Sequence, residues 1–353
     1  MKIHEFYIKR AIQLAKNGLG NTYPNPIVGC VIVAHNKIIG EGFTSPAGQN
    51  HAEVNAIASV KDKSLLKAAT LYVTLEPCSH YGKTPPCADL IIQNKIPTVV
   101  IGTMDTNAEV SGRGVQKLTS AGINVILGTL EEQCVELNKR FFSVQEKNRS
   151  YIILKWAQTS DLFISPDQTQ GGPAPFWITN PYSRQLVHKW RTEEQAILVG
   201  TKTVICDNPQ LNARDWKGNH PTRVVLDAQL RTPRHLNVWD DTVPTIFITS
   251  ESHPIPEGKF TKTTFSPIDF SKNIAQQTIA ILQKHKIQSV IIEGGAKTLQ
   301  SFIDSKLWDE ARVFTSTHNL GSGTKAPILK DFKSTRQYSI QKDVVNYYVP
   351  SGL

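Results

Sequence analysis

The chain has 353 residues, 40% of them hydrophobic and 20% charged, with 39 Lys plus Arg against 30 Asp plus Glu for a net charge of +9. At roughly 100–200 residues per domain this length predicts two domains, and the ordinary composition excludes disordered, collagen-like and disulfide-scaffold classes. No apolar run approaches the ~18 residues of a membrane span, and Met1 to Gly18 has no signal-peptide core.

Residues 3–18 place Ile3, Phe6, Tyr7, Ala11, Leu14 and Ala15 on one helical face. Strands Val28–Ala34 and Ile38–Phe43 follow, joined by a tight turn at His35-Asn36. The pattern continues with helix His51–Val60, strand Thr70–Leu75, helix Pro86–Gln93, strand Thr98–Gly102, helix Val115–Ala121 and strand Asn124–Leu127. A helix over Glu131–Gln145 leads into the polar stretch Glu146–Ser150, which sets the boundary between domains 1–147 and 148–353. The second half reads as strand Tyr151–Ala157, a Gly/Pro-rich loop Ser165–Pro175, helix Pro181–Thr192 and strands Ala196–Gly200, Arg223–Leu226 and Thr245–Thr249. Helix Asn273–Lys284, strand Ser289–Ile292, helix Ala296–Ile303, strand Ala311–Thr315 and closing strands over Tyr338–Val349 complete a second α/β pattern.

The five cysteines are an odd set in a chain without a secretory signal, so disulfides are not expected. Cys30 and Cys134 read as small buried hydrophobes, and Cys206 has no partner spacing. Cys78 and Cys87 differ, because His51-Ala52-Glu53 precedes them across one strand. A catalytic zinc takes three N or S ligands and leaves a position for water. His51, Cys78 and Cys87 supply that set, and Glu53 is placed to move a proton to a leaving amine. The order matches the H-x-E … P-C-x-x-C pattern of zinc deaminases, but here the cysteines stand nine positions apart. A closed structural zinc would need His80 as its fourth ligand.

The segment from Leu75 to Cys87, with Pro24-Asn25-Pro26-Ile27-Val28-Gly29 and His51-Ala52-Glu53-Val54, resembles the deaminase domain of bifunctional riboflavin-biosynthesis deaminase/reductases. That resemblance implies a cytidine-deaminase-like three-layer α/β/α domain. Its reaction would be hydrolytic loss of an amino group from a diaminopyrimidinone ribosylamine phosphate. It also implies that Asn25 holds the ring and that His80, Lys83, Asp105 and Asn107 line the substrate site.

In the second half no Gly-x-Gly-x-x-Gly follows a strand, which argues against a Rossmann dinucleotide domain. Glu293-Gly294-Gly295-Ala296 ends a strand and opens a helix, a turn that can hold a phosphate. Leu154-Lys155, Trp177-Ile178-Thr179, Thr203-Val204 and Asp207-Asn208-Pro209 are similar to the reductase half of the same family. The resemblance implies a dihydrofolate-reductase-like fold that uses NADPH. It places Ala157, Trp177, Thr203, Asp207 and Gly295 on the cofactor, and Arg191, Leu211, Arg214 and Glu293 on the ribose-phosphate substrate. Lys155, Asp207 and Glu293 all stand as candidates for the group that protonates or polarises the substrate nitrogen.

The sequence departs from the family pattern at Thr44, where a His is usual, and at Asp105-Thr106-Asn107-Ala108, which lacks two prolines. It departs again at Ser160-Asp161-Leu162-Phe163, where a Gly and a cation are usual; losing the Gly removes easy access to positive φ. Rival readings are a deaminase with a degenerate reductase and a nucleic-acid-editing zinc deaminase. The basic surplus is spread along the chain without a Lys/Arg block, and charge alone does not decide the partner. The resemblance makes a small phosphorylated pyrimidine the expected partner, and a homodimer or higher homo-oligomer is the expected assembly. Zinc and NADPH are the expected cofactors, with no nucleic acid, no membrane, and a cytoplasmic location.

Overall fold

His35 and Asn36 both adopt left-handed backbone (φ 49° and 58°), the pair of positive angles that a two-residue type I′ hairpin turn requires. In the computed structural model, which describes residues 2–81, 85–106, 111–167 and 176–352, they join β1 (Gly29–Ala34) to β2 (Lys37–Phe43). The chain divides into two compact units, Met1–Asn148 and Arg149–Leu353.

The first unit continues with β3 (Thr70–Leu75), β4 (Thr98–Thr103) and β5 (Asn124–Leu127) in the order β2-β1-β3-β4-β5. β1 runs antiparallel to both neighbours, and β3, β4 and β5 are parallel. Helices α1 (Lys2–Ala15), α2 (Ala52–Ser59), α3 (Cys87–Gln93), α4 (Arg113–Ser120), α5 (Glu131–Leu137) and α6 (Lys139–Lys147) cover the sheet. Strand alternation splits the core in two. Cys30, Ile32 and Ala34 of β1 pack with Ala56 of α2 and Ile91 of α3, while Val31 and Val33 pack with Ile8, Ala11 and Ile12 of α1. The result is the three-layer arrangement the sequence implies. Gly29, the last residue of the Pro-Asn-Pro segment, has a packing reason: a Cβ there would lie 1.9 Å from the Ala11 carbonyl oxygen.

One helix expected over Glu131–Gln145 is instead two, α5 and α6, broken at Asn138 (φ −107°, ψ 19°). The Asn138 amide is buried and acts as a backbone partner. It accepts from the Ile27 N–H at 2.9 Å and donates to the Ile27 carbonyl at 3.0 Å.

The second unit contains β6 (Tyr151–Gln158), β7 (Phe163–Ser165), α7 (Pro181–Glu193), β8 (Ala196–Gly200), α8 (Thr201–Asp207), β9 (Thr222–Leu226), β10 (Thr245–Ser250) and β11 (Thr263–Ile268). It ends with α9 (Ile274–Lys284), β12 (Ser289–Ile292), α10 (Ala296–Asp304), β13 (Glu310–Thr315), β14 (Thr324–Lys325), β15 (Phe332–Ile340) and β16 (Asp343–Pro350). The main sheet has the order β11-β10-β9-β8-β12-β6-β13-β16-β15. From β11 to β13 all neighbours are parallel, and β16 and β15 close it antiparallel. One face packs on α9 and α10 through Leu154, Leu282 and Phe302, and the other on α7 through Ile153 and Trp190.

β7, α8, β11 and β14 escaped the sequence pattern. β11 contains Pro267, which argues against a strand, but it lies at the sheet edge, where a missing N–H is tolerated. α8 is a short helix with β-branched residues, formed where β8 ends. Leu162 corrects a further expectation. It holds φ 66° without a glycine, so the turn survives the departure. Most of the Gly/Pro-rich loop, 168–175, lies outside the described residues.

Two candidate active sites

His51 is the residue before α2, in extended backbone, and Cys87 is the first residue of α3. Cys78 follows β3 and accepts from the Cys87 N–H through its sulfur at 3.3 Å. These positions bring His51 Nδ1 to 3.5 Å from Cys78 Sγ and 3.3 Å from Cys87 Sγ. Ligands about 2.0–2.3 Å from a tetrahedral zinc stand roughly 3.5 Å apart, so the donor set fits the ion in chemistry and spacing. Among the described residues these three form the one such cluster of His, Cys, Asp and Glu, and exposed His80 is not part of it. Three ligands without a fourth match a catalytic site better than a closed structural one.

Glu53, in the first turn of α2, is buried. Burial pushes its carboxyl up to about 7, the Cys78 charge adds to the rise, and His51 opposes it. The hydrogen bond to Cys87, with His51 behind it, draws the Cys78 thiol below its ordinary range against burial, while Cys87 is pushed up.

Asn25 is half-buried in a turn held by Thr22, whose hydroxyl donates to the Asn25 carbonyl at 3.1 Å and whose own carbonyl accepts from the Asn25 N–H at 2.9 Å. Asp105 is buried just beyond β4, beside the strand that leads to Cys78. Both therefore leave the carboxyl ends of parallel strands, where open α/β sheets place their ligands. Thr44 is buried, and its hydroxyl oxygen accepts from the Val28 N–H at 3.0 Å. It braces the Asn25 segment from the backbone side. Lys83 and Asn107 lie outside the described residues.

In the second unit Lys155, Ala157, Trp177, Arg191, Thr203, Asp207, Leu211, Arg214, Glu293 and Gly295 all line one cleft of about 1390 Å³. Single small-molecule pockets run to about 1,000 Å³, so this cleft has room for a dinucleotide and a second ligand. Glu293, at the end of β12, takes two hydrogen bonds from the Arg191 guanidinium, Nε to Oε1 at 3.0 Å and Nη2 to Oε2 at 2.7 Å. Lys155 Nζ stands 3.7 Å from Glu293 Oε2. Burial alone would raise the Glu293 carboxyl, but the Arg191 and Lys155 charges outweigh it and hold it at about 2. Burial lowers Lys155, with Glu293 opposing, and burial raises Asp207 to about 6. The two cations thus favour the ionised form of Glu293.

The Gly294-Gly295 turn fits an anion. Gly295 has φ 69° and precedes α10, whose first N–H groups lack helical partners. A Cβ on Gly294 would lie 2.9 Å from Thr203 Oγ1, and one on Gly200 would lie 2.7 Å from Thr298 Oγ1. Two hydroxyls and two glycines thus converge where β8 and β12 end. Trp177 is half exposed, with the Arg184 guanidinium 4.6 Å from its ring centroid. Arg184, Thr298 and Asn138 carried no signal in the sequence, because their partners or pockets come from distant segments.

Residues 1–103 match the cytidine and deoxycytidylate deaminase zinc-binding region, and residues 150–346 match the RibD C-terminal domain. The riboflavin biosynthesis protein RibD of Aquifex aeolicus is 41% identical over 324 residues, 91% of this chain and 89% of that one. The RibD of Escherichia coli is 34% identical, covering 91% of this chain and 89% of its own. A crystal structure of a diaminohydroxyphosphoribosylaminopyrimidine deaminase/5-amino-6-(5-phosphoribosylamino)uracil reductase from Thermotoga maritima is 38% identical. It superimposes with a TM-score of 0.90 over 99% of both chains. These matches bear out the expected fold class, a cytidine-deaminase-like unit followed by a reductase unit. On this evidence the chain belongs to the RibD family of riboflavin biosynthesis proteins.

Proposed function

We infer that the first unit deaminates a diaminopyrimidinone ribosylamine phosphate by hydrolysis, and that the second then reduces the ribosyl chain of the product to ribityl. One observation carries the reading: a single chain holds both the His51–Cys78–Cys87 triad beside buried Glu53 and a cleft containing the Lys155–Glu293–Arg191 cluster.

His51, Cys78 and Cys87 hold the zinc, which when bound supplies an acidified water as nucleophile. Glu53, buried beside the ligands, takes protons from the attacking water and delivers one to the ring nitrogen and one to the departing amino group, which leaves as ammonia as the ring carbonyl forms. Asn25, His80, Lys83, Asp105 and Asn107 bind the substrate.

The Gly295 turn, Thr203, Asp207, Ala157 and Trp177 hold NADPH, which when bound supplies the hydride. Reduction of the open imine form also requires a proton at nitrogen. Lys155, buried at the cleft wall with its ammonium made more acidic, delivers it, and Glu293 holds Lys155 in place. Arg191 is committed to Glu293 and to the Asn212 carbonyl at 3.0 Å, so Arg214, more exposed and beside Leu211, takes the larger share of the phosphate. We assign the deaminase to residues 1–147 and the reductase to residues 148–353. Assembly as a homodimer or higher homo-oligomer belongs to the same reading and is read by light scattering. Among the described residues no helix is long and apolar enough to cross a membrane.

The test incubates the pure full-length protein with the diaminopyrimidinone nucleotide, with and without NADPH. Ammonia release without NADPH, and cofactor oxidation once deaminated product is present, are expected. Product without cofactor oxidation sinks the reductase half, and no ammonia release sinks the deaminase half. Glu53→Gln should lower deamination by about 10²–10⁴-fold while leaving NADPH oxidation with supplied deaminated substrate unchanged.

A further inference from the structure

Glu76 directly precedes Pro77 and Cys78, and its side chain is buried. Its carboxylate collects backbone N–H groups from two distant places. Oε2 accepts from Asp105 at 3.3 Å and Gly112 at 3.0 Å, and Oε1 accepts from Gly114 at 2.9 Å and Val115 at 3.1 Å. Gly114 and Val115 belong to the first turn of α4, whose N–H groups lack helical partners and whose dipole favours an anion. Hydrogen bonds to an ionised acceptor are the stronger kind. The backbone also approaches closely: a Cβ at Gly114 would lie 2.1 Å from the Pro77 carbonyl oxygen and 3.0 Å from Glu76 Oε1. Glu76 donates its own N–H to the Thr103 carbonyl at 3.0 Å, which ties the ends of β3 and β4.

We propose that Glu76 is a positioning residue for deamination, locking Asp105 and the start of α4 to the turn that carries Cys78 so that a substrate contact and a metal ligand move as one body. The proposal rests on the deaminase reading above. Glu76 has no part in proton transfer, because both oxygens are occupied by N–H donors.

The test uses the full-length, zinc-loaded protein carrying Glu76→Gln, which turns an amide NH₂ toward those donors. Zinc should stay at one per chain and reductase turnover should be unchanged. KM for deamination should rise at least tenfold with kcat within threefold. Amide hydrogen exchange at Gly112, Gly114 and Val115 should speed at least tenfold, a readout independent of turnover. An unchanged KM or unchanged exchange overturns the proposal. Loss of zinc, or a fall in kcat with constant KM, also overturns it, because Glu76 would then act on the metal site. If Glu76→Gln does not fold, Gly112→Ala is the milder probe. Its Cβ would meet only Met104 Cε at 3.6 Å, but φ 75° strains it, and KM should rise about threefold. A wild-type protein that releases no ammonia defeats the deaminase reading, and the exchange measurement still judges the lock.

Discussion

Leu162 occupies left-handed backbone at a cost of about 1–2 kcal/mol for a residue with a Cβ. The turn persists because its neighbours over-determine it. Thr159 N–H donates to the Phe163 carbonyl at 2.9 Å, and the Asp161 carboxylate accepts from Gly321 N–H at 2.7 Å. The missing cation at Phe163 has a neighbour too, since Lys325 on the paired strand β14 sits 3.6 Å from the Phe163 ring centroid. Leu162→Gly should therefore stabilise the second unit by about 0.5–1 kcal/mol, read as a higher melting temperature, since the lost side chain is half exposed. Asn138→Leu should act the other way. It leaves the buried Ile27 N–H and C=O unpaired, costs about 2–4 kcal/mol, and loosens the segment that carries Asn25. Thermal unfolding and the deamination KM would report the two effects separately.

At the level of elements, Glu293 directly follows β12, and the ion cluster there makes stability depend on acid. The Glu293 carboxyl is depressed from 4.5 to about 2, so its contribution is complete above pH 4.5 and is lost as pH falls toward 2. A shift of that size is on the order of 3 kcal/mol for a buried group. Unfolding of the second unit followed from pH 6 to 2 should show this slope, and Glu293→Gln should flatten it while lowering stability at pH 7. The strands that form short apolar runs and the helices with a 3.6-residue apolar face were legible in the sequence, as Thr70–Leu75, Ser289–Ile292 and α1 show. So was the metal triad, because a fixed order of His51, Cys78 and Cys87 survives on one chain. Pro267 hid β11, and Asn138 hid a helix break, because an edge position and a partner at Ile27 are tertiary facts. The Arg191–Glu293 pairing was hidden for the same reason, the partners standing 102 positions apart.

For the whole molecule, two separate units imply two separable activities. A zinc chelator should abolish ammonia release from the diaminopyrimidinone nucleotide and leave NADPH oxidation of supplied deaminated substrate intact, and paired assays on one chelated preparation decide it. Sheet order also has a consequence in time. In the first unit each strand pairs with one made shortly before it, Thr70 with Val33, Thr98 with Thr70 and Asn124 with Thr98. In the second, β6 is the first strand made and lies inside the sheet, where Tyr151 must wait for Ser289 and Ile153 for Glu310. Pairings between distant segments form slowly, so the second core is the later one to close. The sequence supplies a natural clock for this order, since no tryptophan precedes Trp156. After dilution from denaturant, with zinc present, ammonia release should recover before tryptophan fluorescence does. For as long as that interval lasts, a newly made chain would carry a working deaminase attached to a reductase that has yet to form.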